Sequence, residues 1–386
     1  MNIKETDKQY IMGTYGRVDL AIDHGEGSTL YDTEGKKYID FGSGIAVNTF
    51  GASDPEWVKA VGAQLGKIQH TSNYYYTRPC AELAEMLCQR TNMSKVFFSN
   101  SGAEANECAI KAARKYGTDK NPSKNVIITL KNSFHGRTIT TLSATGQDVY
   151  HTNFTPFTEG FVYVEANNVD ELTNAMNDNI CGIMIELIQG EGGVLTMTQE
   201  FVTACTELAK KYDALLIIDE VQTGNGRTGT LYAHQQFGVA PDIFTTAKGL
   251  GGGLPIGATI FAEKVQDILP AGSHGSTFGG NPIAAAGAVN ILSRIDDKLL
   301  AEVSQKSELI KSELSKLDLV EEISGMGLML GIKTKKSAKD IMLYAMKKGL
   351  LVLTAKDKVR LLPPLNIANA ELERGLEILK DAIKNA

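Results

Sequence analysis

One pattern constrains this chain most: short runs of apolar residues that recur, each followed by a polar loop and then a stretch with helical spacing. Val96-Phe97-Phe98, Val126-Ile127-Ile128-Thr129-Leu130, Gly182-Ile183-Met184-Ile185 and Leu215-Leu216-Ile217-Ile218 show no apolar/polar alternation. A strand with one wet face would alternate, so these runs belong to strands buried on both sides. From Ala103 to Tyr116, apolar residues fall at 105, 108, 109, 112, 113 and 116, and Gly117 stands where such a helix would close. The stretch 199–212 repeats the spacing at 201, 204, 205, 208, 209 and 212. Such alternation predicts an α/β chain with a mostly parallel central sheet flanked by helices. Ligands of such sheets gather at the carboxyl ends of the strands.

The loops at those ends carry the chemistry. Leu215–Ile218 runs into Asp219-Glu220-Val221-Gln222, and the next apolar run, Ile243-Phe244-Thr245-Thr246-Ala247, delivers Lys248 ahead of Gly249-Leu250-Gly251-Gly252-Gly253. Taken singly, a strand-end Asp is usually a turn former, and a Lys before glycines a solvated loop residue. Together they are what pyridoxal phosphate requires: an amine that holds the aldehyde covalently and an acid that faces the ring nitrogen. Ser99-Asn100-Ser101-Gly102 feeds the helix at 103. Its free amides at the positive dipole end form either a phosphate seat or an ordinary serine cap. Asn132-Ser133-Phe134-His135-Gly136-Arg137 combines an aromatic that can stack on a ring with an arginine that can grip a carboxylate. Val359-Arg360-Leu361-Leu362 sets an arginine among apolar neighbours, which points it inward. Gly224-Asn225-Gly226-Arg227-Thr228-Gly229 matches the dinucleotide fingerprint by letter, but no strand–turn–helix context surrounds it.

The formal net charge of −6 argues against nucleic acid, whose binding rests on clustered basic residues. No uncharged apolar run reaches the ~18 residues of a membrane span, and the opening residues lack the apolar core of a signal peptide. Cysteines 80, 88, 108, 181 and 205 are odd in number and lie mostly on apolar faces, so they read as reduced and the compartment as cytoplasmic. The histidines show no metal-ligand spacing, and no metal site is expected.

Three units are expected: an arm with strands over 1–55, a large α/β domain over 56–290, and a smaller α+β domain over 291–386. Gly27–Asp40 reads as two strands around an acidic-glycine turn, and Ser43–Asn48 as a pocket wall. Pro55 opens a helix. A second helix carries an apolar stripe at 80, 83, 84, 87 and 88, and the tyrosines before it, Tyr74, Tyr75 and Tyr76, are either core or site lining. In the last unit Gly327–Ile332 and Gly349–Leu353 read as strands between Lys/Glu-rich amphipathic stretches.

The Asp219 and Lys248 words, Ser43-Gly44-Ile45-Ala46-Val47-Asn48, Ser99 through Glu107, Phe134-His135-Gly136-Arg137-Thr138, Gln189-Gly190-Glu191-Gly192-Gly193 and Ser276-Thr277-Phe278-Gly279-Gly280-Asn281-Pro282 stand in order along the chain. From about Tyr10 onward the chain thereby resembles the class III (ornithine-type) aminotransferases, which use the fold-type I pyridoxal-phosphate architecture. Leu187 stands where a proline is common in that family, and Ser324 where an arginine is frequent. The resemblance implies a homodimer with shared active sites. It further implies transfer of the δ-amino group of N2-acetylornithine to 2-oxoglutarate, giving N-acetylglutamate semialdehyde and glutamate. Succinylornithine, ornithine, 4-aminobutyrate or succinyl-diaminopimelate chemistry, and a decarboxylase on the same scaffold, are the alternatives.

In roles carried over by resemblance, Lys248 and Asp219 are catalytic, and Gln222 bonds the ring hydroxyl. Phe134 and Val221 cover the two ring faces. Ser101, Gly102 and Ala103 hold the phosphate, joined by Thr277 of the neighbouring subunit, and Ser276 joins the substrate side. The two substrates present their carboxylates at different distances from the reacting carbon. Arg137 is therefore expected to grip the distant carboxylate of either, and Arg360 the near one of glutamate. Glu191 is expected to neutralise Arg360 when no near carboxylate is present.

Overall fold

The structure, a computed structural model, describes residues 2–386. Its centre is a sheet of seven strands, in spatial order Lys95–Ser99, Gly257–Phe261, Ile243–Thr246, Leu215–Asp219, Ile180–Ile185, Val126–Leu130 and Phe161–Val164. All neighbours run parallel except Gly257–Phe261, which is antiparallel on both sides. Every residue of Leu215–Asp219 is buried. Leu216 and Ile218 pack into one core with the helices Gln199–Lys211 and Pro282–Arg294. Leu215 and Ile217 face the other way, onto Cys108, Ala109, Ala112 and Ala113 of the helix Gly102–Thr118. Alternate side chains thus enter two separate cores, which is why Leu215–Ile218 contains nothing polar ahead of Asp219. Each fully buried Leu or Ile contributes about 1.5–3 kcal/mol.

The helix Gly102–Thr118 opens on Ser101, whose Oγ accepts from Glu104 N at 3.2 Å, and Glu104 in turn accepts from Asn100 N at 2.8 Å. Its end corrects the expectation for Gly117, which is interior rather than closing. A Cβ there would stand 2.0 Å from Lys124 O and 2.6 Å from Cys181 Cβ. The residue is glycine because the helix presses against the sheet at that point, not because the chain turns.

Besides a two-stranded ladder of Ile188–Gln189 and Leu195–Thr196, two four-stranded sheets draw on the chain ends. Ile22–Glu26, Thr29–Asp32 and Lys37–Asp40 form an antiparallel set completed by Leu350–Leu351, which is parallel to Lys37–Asp40. Val320–Met326, Met329–Thr334, Lys358–Leu361 and Leu353–Ala355 form a second antiparallel sheet. The single strand expected over Gly349–Leu353 is therefore two, with Val352 carrying the chain from one sheet to the other. Tyr74, Tyr75 and Tyr76 enter neither core nor cavity and are exposed by 92%, 70% and 105%. No described helix is long and apolar enough to cross a membrane.

Candidate active site

Two adjacent parallel strands end side by side, with Asp219 in register with Thr245. Lys248 follows on a tight turn, Lys248–Leu250, at φ +46°. Holding a β-carbon residue in the left-handed region costs about 1–3 kcal/mol, a strain found where side-chain direction matters more than backbone ease. Lys248 and Asp219 line one cavity of about 470 Å³, a size suited to a cofactor and a small substrate.

Asp219 is fixed by three donors: Val221 N at 2.9 Å, Asn106 Nδ2 at 2.7 Å and His135 Nδ1 at 2.8 Å. Asn106 is itself oriented, because Thr245 Oγ1 donates to its Oδ1 at 2.7 Å. Among the described residues the buried His135 Nε2 has no partner. Beside Asp219 lies a second strand-end acid, Glu186, since Ile185 is in register with Ile218. Glu186 accepts only one backbone donor, Phe134 N at 2.9 Å. Burial, reinforced by the neighbouring Asp219 charge, pushes its carboxyl well above the usual glutamate range, toward the neutral acid. Burial also pushes the Lys248 ammonium below the ordinary lysine value, which favours a free amine.

Opposite these groups the helix Gly102–Thr118 points its start into the cavity. The amides of Gly102 and Ala103 stand in the first turn, where no intrahelical acceptor exists, so they are available to an anion. A Cβ on Gly102 would come within 2.7 Å of Val221 Cγ1, and one on Gly190 within 2.3 Å of Gln222 Oε1. Both glycines therefore let backbone lie directly against the Val221 and Gln222 side chains that line the cavity. An anion seat, an amine whose pKa burial lowers and a fixed carboxylate in one apolar cleft form a donor set that fits pyridoxal phosphate.

Gln222 connects this cavity to an ion pair. Arg360, 3% exposed, donates to Glu191 Oε1 at 2.6 Å and Oε2 at 3.3 Å, and to Gln222 Oε1 at 3.2 Å. Burial opposes ionisation of Glu191, but the Arg360 charge and hydrogen bonds outweigh it and hold the carboxyl below its ordinary value. Arg137 sits exposed at the mouth, its guanidinium 4.5 Å from the Tyr150 ring centre and 5.5 Å from that of Phe134.

Ser101, Gly102, Ala103, Phe134, Arg137, Asp219, Val221, Gln222 and Lys248 thus share one cavity. Glu191 and Arg360 adjoin it through Gln222, and Ser276 through Asn100, whose Nδ2 donates to Ser276 Oγ at 3.0 Å. Thr277 is exposed and does not line the cavity of its own chain. Asn106, His135, Glu186 and Tyr150 were not among the expected site residues. Glu186 carried the same signal as Asp219, an acid ending an apolar run, and Asn106 was a polar residue beside a buried helical stripe. The glycine word at 224–229 proves structural, because Arg227 donates to the carbonyls of Leu328 and Pro363 and ties the loop to the C-terminal part of the chain.

Residues 11–383 match the family profile described as aminotransferase class-III. An acetylornithine aminotransferase of Haemophilus ducreyi is 50% identical over 385 residues, covering 99% of this chain and 98% of that protein. One from Aquifex aeolicus is 44% identical over 376 residues, covering 97% and 100%. Among solved structures, N-acetylornithine aminotransferase from Stenotrophomonas maltophilia superposes with a TM-score of 0.86 at 37% identity, covering 98% of each chain. Ornithine aminotransferase from Toxoplasma gondii does so with a TM-score of 0.94 at 30% identity, covering 99% and 94%.

Proposed function

Because the chain belongs to the class-III aminotransferases, we propose that it moves the δ-amino group of N2-acetylornithine to 2-oxoglutarate, as part of arginine biosynthesis. Bound pyridoxal phosphate supplies an aldehyde that accepts the amino group and a ring that delocalises charge left on the reacting carbon. Lys248 Nζ would hold that aldehyde and then move the proton at the substrate's δ-carbon, a task suited to an amine whose pKa burial pushes down. Asp219 would hold the ring nitrogen and Gln222 the ring hydroxyl, and Phe134 and Val221 would pack against the ring. Ser101, Gly102 and Ala103 seat the phosphate together with Thr277 from a second copy of the chain.

One observation carries the substrate reading: Arg360 is clamped by Glu191 at 2.6 and 3.3 Å inside the protein. A substrate reacting at a far amine brings only CH₂ near the cofactor, so an unneutralised Arg360 would be a costly buried charge. Glutamate brings a carboxylate there and takes the place of Glu191. Arg137 at the mouth then holds the distant carboxylate of either substrate. The acetyl group is assigned on the 50%-identical relative.

The purified protein is expected to be yellow and to lose its visible band on adding N2-acetylornithine, faster than with ornithine, succinylornithine or 4-aminobutyrate. Borohydride should fix the cofactor to Lys248. Glu191→Gln should slow bleaching by acetylornithine roughly tenfold or more, the consequence of leaving a buried charge unpaired, and bleaching by glutamate much less. Equal slowing in both half-reactions would refute the gate, and a preference for another ω-amine would reassign the substrate.

A further inference from the structure

Tyr150 takes no part in the chemistry outlined above, yet it touches both aromatic and cationic groups of the cavity mouth. Its ring meets Phe134 edge-on, centres 5.7 Å apart at 72°, and its face carries the Arg137 guanidinium at 4.5 Å. The second distance lies well inside the ~6 Å reach of a cation–π contact. Arg137 rests on rings rather than on a carboxylate, so its donors stay free for an incoming anion.

The placement of Tyr150 is fixed from below. It lies on a single helical turn, Asp148–Tyr150, whose base is stitched to the loop that bears Phe134 and Arg137. Asn132 N donates to Gly146 O at 2.7 Å, Gly146 N to Ser133 Oγ at 3.0 Å, and Gln147 Nε2 to Ser133 O at 3.0 Å. On the far side His151 bonds Leu142 O through Nε2 at 2.9 Å and packs against Phe157 at 5.1 Å. A ring mounted this way can hold a long, otherwise mobile arginine in one direction.

Resting on the assignment of Arg137 to the distant carboxylate, we propose that Tyr150 is a positioning residue for substrate specificity: its ring face holds the Arg137 guanidinium at the cavity mouth, aimed at the α-carboxylate of an acylated amino acid. Two alternative roles make different predictions. A Tyr150 that merely packs would act whether or not Arg137 is present. A Tyr150 that bonds substrate through its hydroxyl would not tolerate phenylalanine.

The test is calorimetric binding of N2-acetyl-L-norvaline to the cofactor-loaded protein. This probe has the carboxylate and the acetyl amide but no amine to react. Tyr150→Phe is expected to bind within about twofold of the unchanged chain. Tyr150→Leu should bind roughly three- to tenfold more weakly, the range of an exposed to half-buried cation–π contact. In an Arg137→Ala background Tyr150→Leu should add no further loss, because the ring then has nothing to aim. Unaltered binding in Tyr150→Leu, a loss in Tyr150→Phe equal to that in Tyr150→Leu, or full additivity with Arg137→Ala each overturns the proposal. If Arg137→Ala itself binds the probe normally, the assignment of Arg137 fails first and takes this proposal with it. Tyr150→Met serves in the same cycle should Tyr150→Leu not fold.

Discussion

Two ionisable side chains in the cavity are shifted from their ordinary pKa by burial, and each shift has a consequence for stability. Lys248 is buried with its amine pushed below the usual lysine value. Folded protein then binds fewer protons than unfolded protein over the window from the folded pKa up to the unfolded ~10.4. Stability supplied by this site therefore rises with pH across that window, and at neutral pH the site destabilises the cofactor-free fold. Glu186 is the mirror case. Its carboxyl stays protonated in the fold above the ~4.3 at which an unfolded glutamate ionises, so its contribution is full below ~4.3 and falls as pH rises toward the folded value. Lys248→Met is expected to raise the denaturation midpoint of cofactor-free protein at pH 7 while abolishing covalent capture of the cofactor. Glu186→Gln should be more stabilising, relative to the unchanged chain, at pH 7 than at pH 4. Urea titrations of the three proteins at both pH values decide the matter. A Glu186→Gln offset that is flat with pH would mean that the carboxyl is ionised in the fold.

Among the elements, the helix Gly102–Thr118 shows what a one-dimensional reading can and cannot carry. Its stripe, its Ser101 start and its role beneath the cavity were legible, because each depends on neighbours within a turn or two. The meaning of Gly117 was not, since the carbonyl it makes room for belongs to Lys124 and the β-carbon to Cys181, which reach it only through the tertiary fold. Asn106 is illegible for the same reason: it acts through Asp219, a strand-end residue 113 positions along the chain. The strands read well because burial on both faces leaves them few polar positions, and those mostly threonine. Gly349–Leu353 read poorly because one apolar run serves two sheets in turn. Helix propensity alone would have alanine at 117 improve stability by nearly 1 kcal/mol. Contact at 2.0 Å with a carbonyl reverses the sign, and Gly117→Ala is expected to cost about 1–3 kcal/mol by overpacking. A thermal midpoint equal to or above that of the unchanged chain would show that Lys124 can move aside at little cost.

At the scale of the whole molecule, the chain leaves an apolar surface that one copy does not cover. Tyr74, Tyr75 and Tyr76 are exposed by 92%, 70% and 105%, and Phe278 by 58%. These two segments are neighbours: Asn73 Nδ2 donates to Ser276 O and to Gly279 O, both at 3.0 Å, and His70 stands 5.1 Å from the Phe278 ring. Thr277, exposed and outside the lining of its own cavity, lies in the second of these segments. Contiguous apolar surface of this kind marks an interface, and under the proposed shared site a second copy of the chain would cover it and give Thr277 a phosphate to bond. The two functions should then fail together. Phe278→Asp places a charge at the centre of the patch and is expected to shift sedimentation toward the monomer and to release pyridoxal phosphate on dialysis. Thr277→Ala should keep the dimer and weaken only cofactor retention, by roughly three- to tenfold for one lost hydrogen bond to a charged group. If Phe278→Asp sediments as a monomer yet retains cofactor as tightly as the unchanged chain, each cavity is complete within one copy and the shared site is wrong.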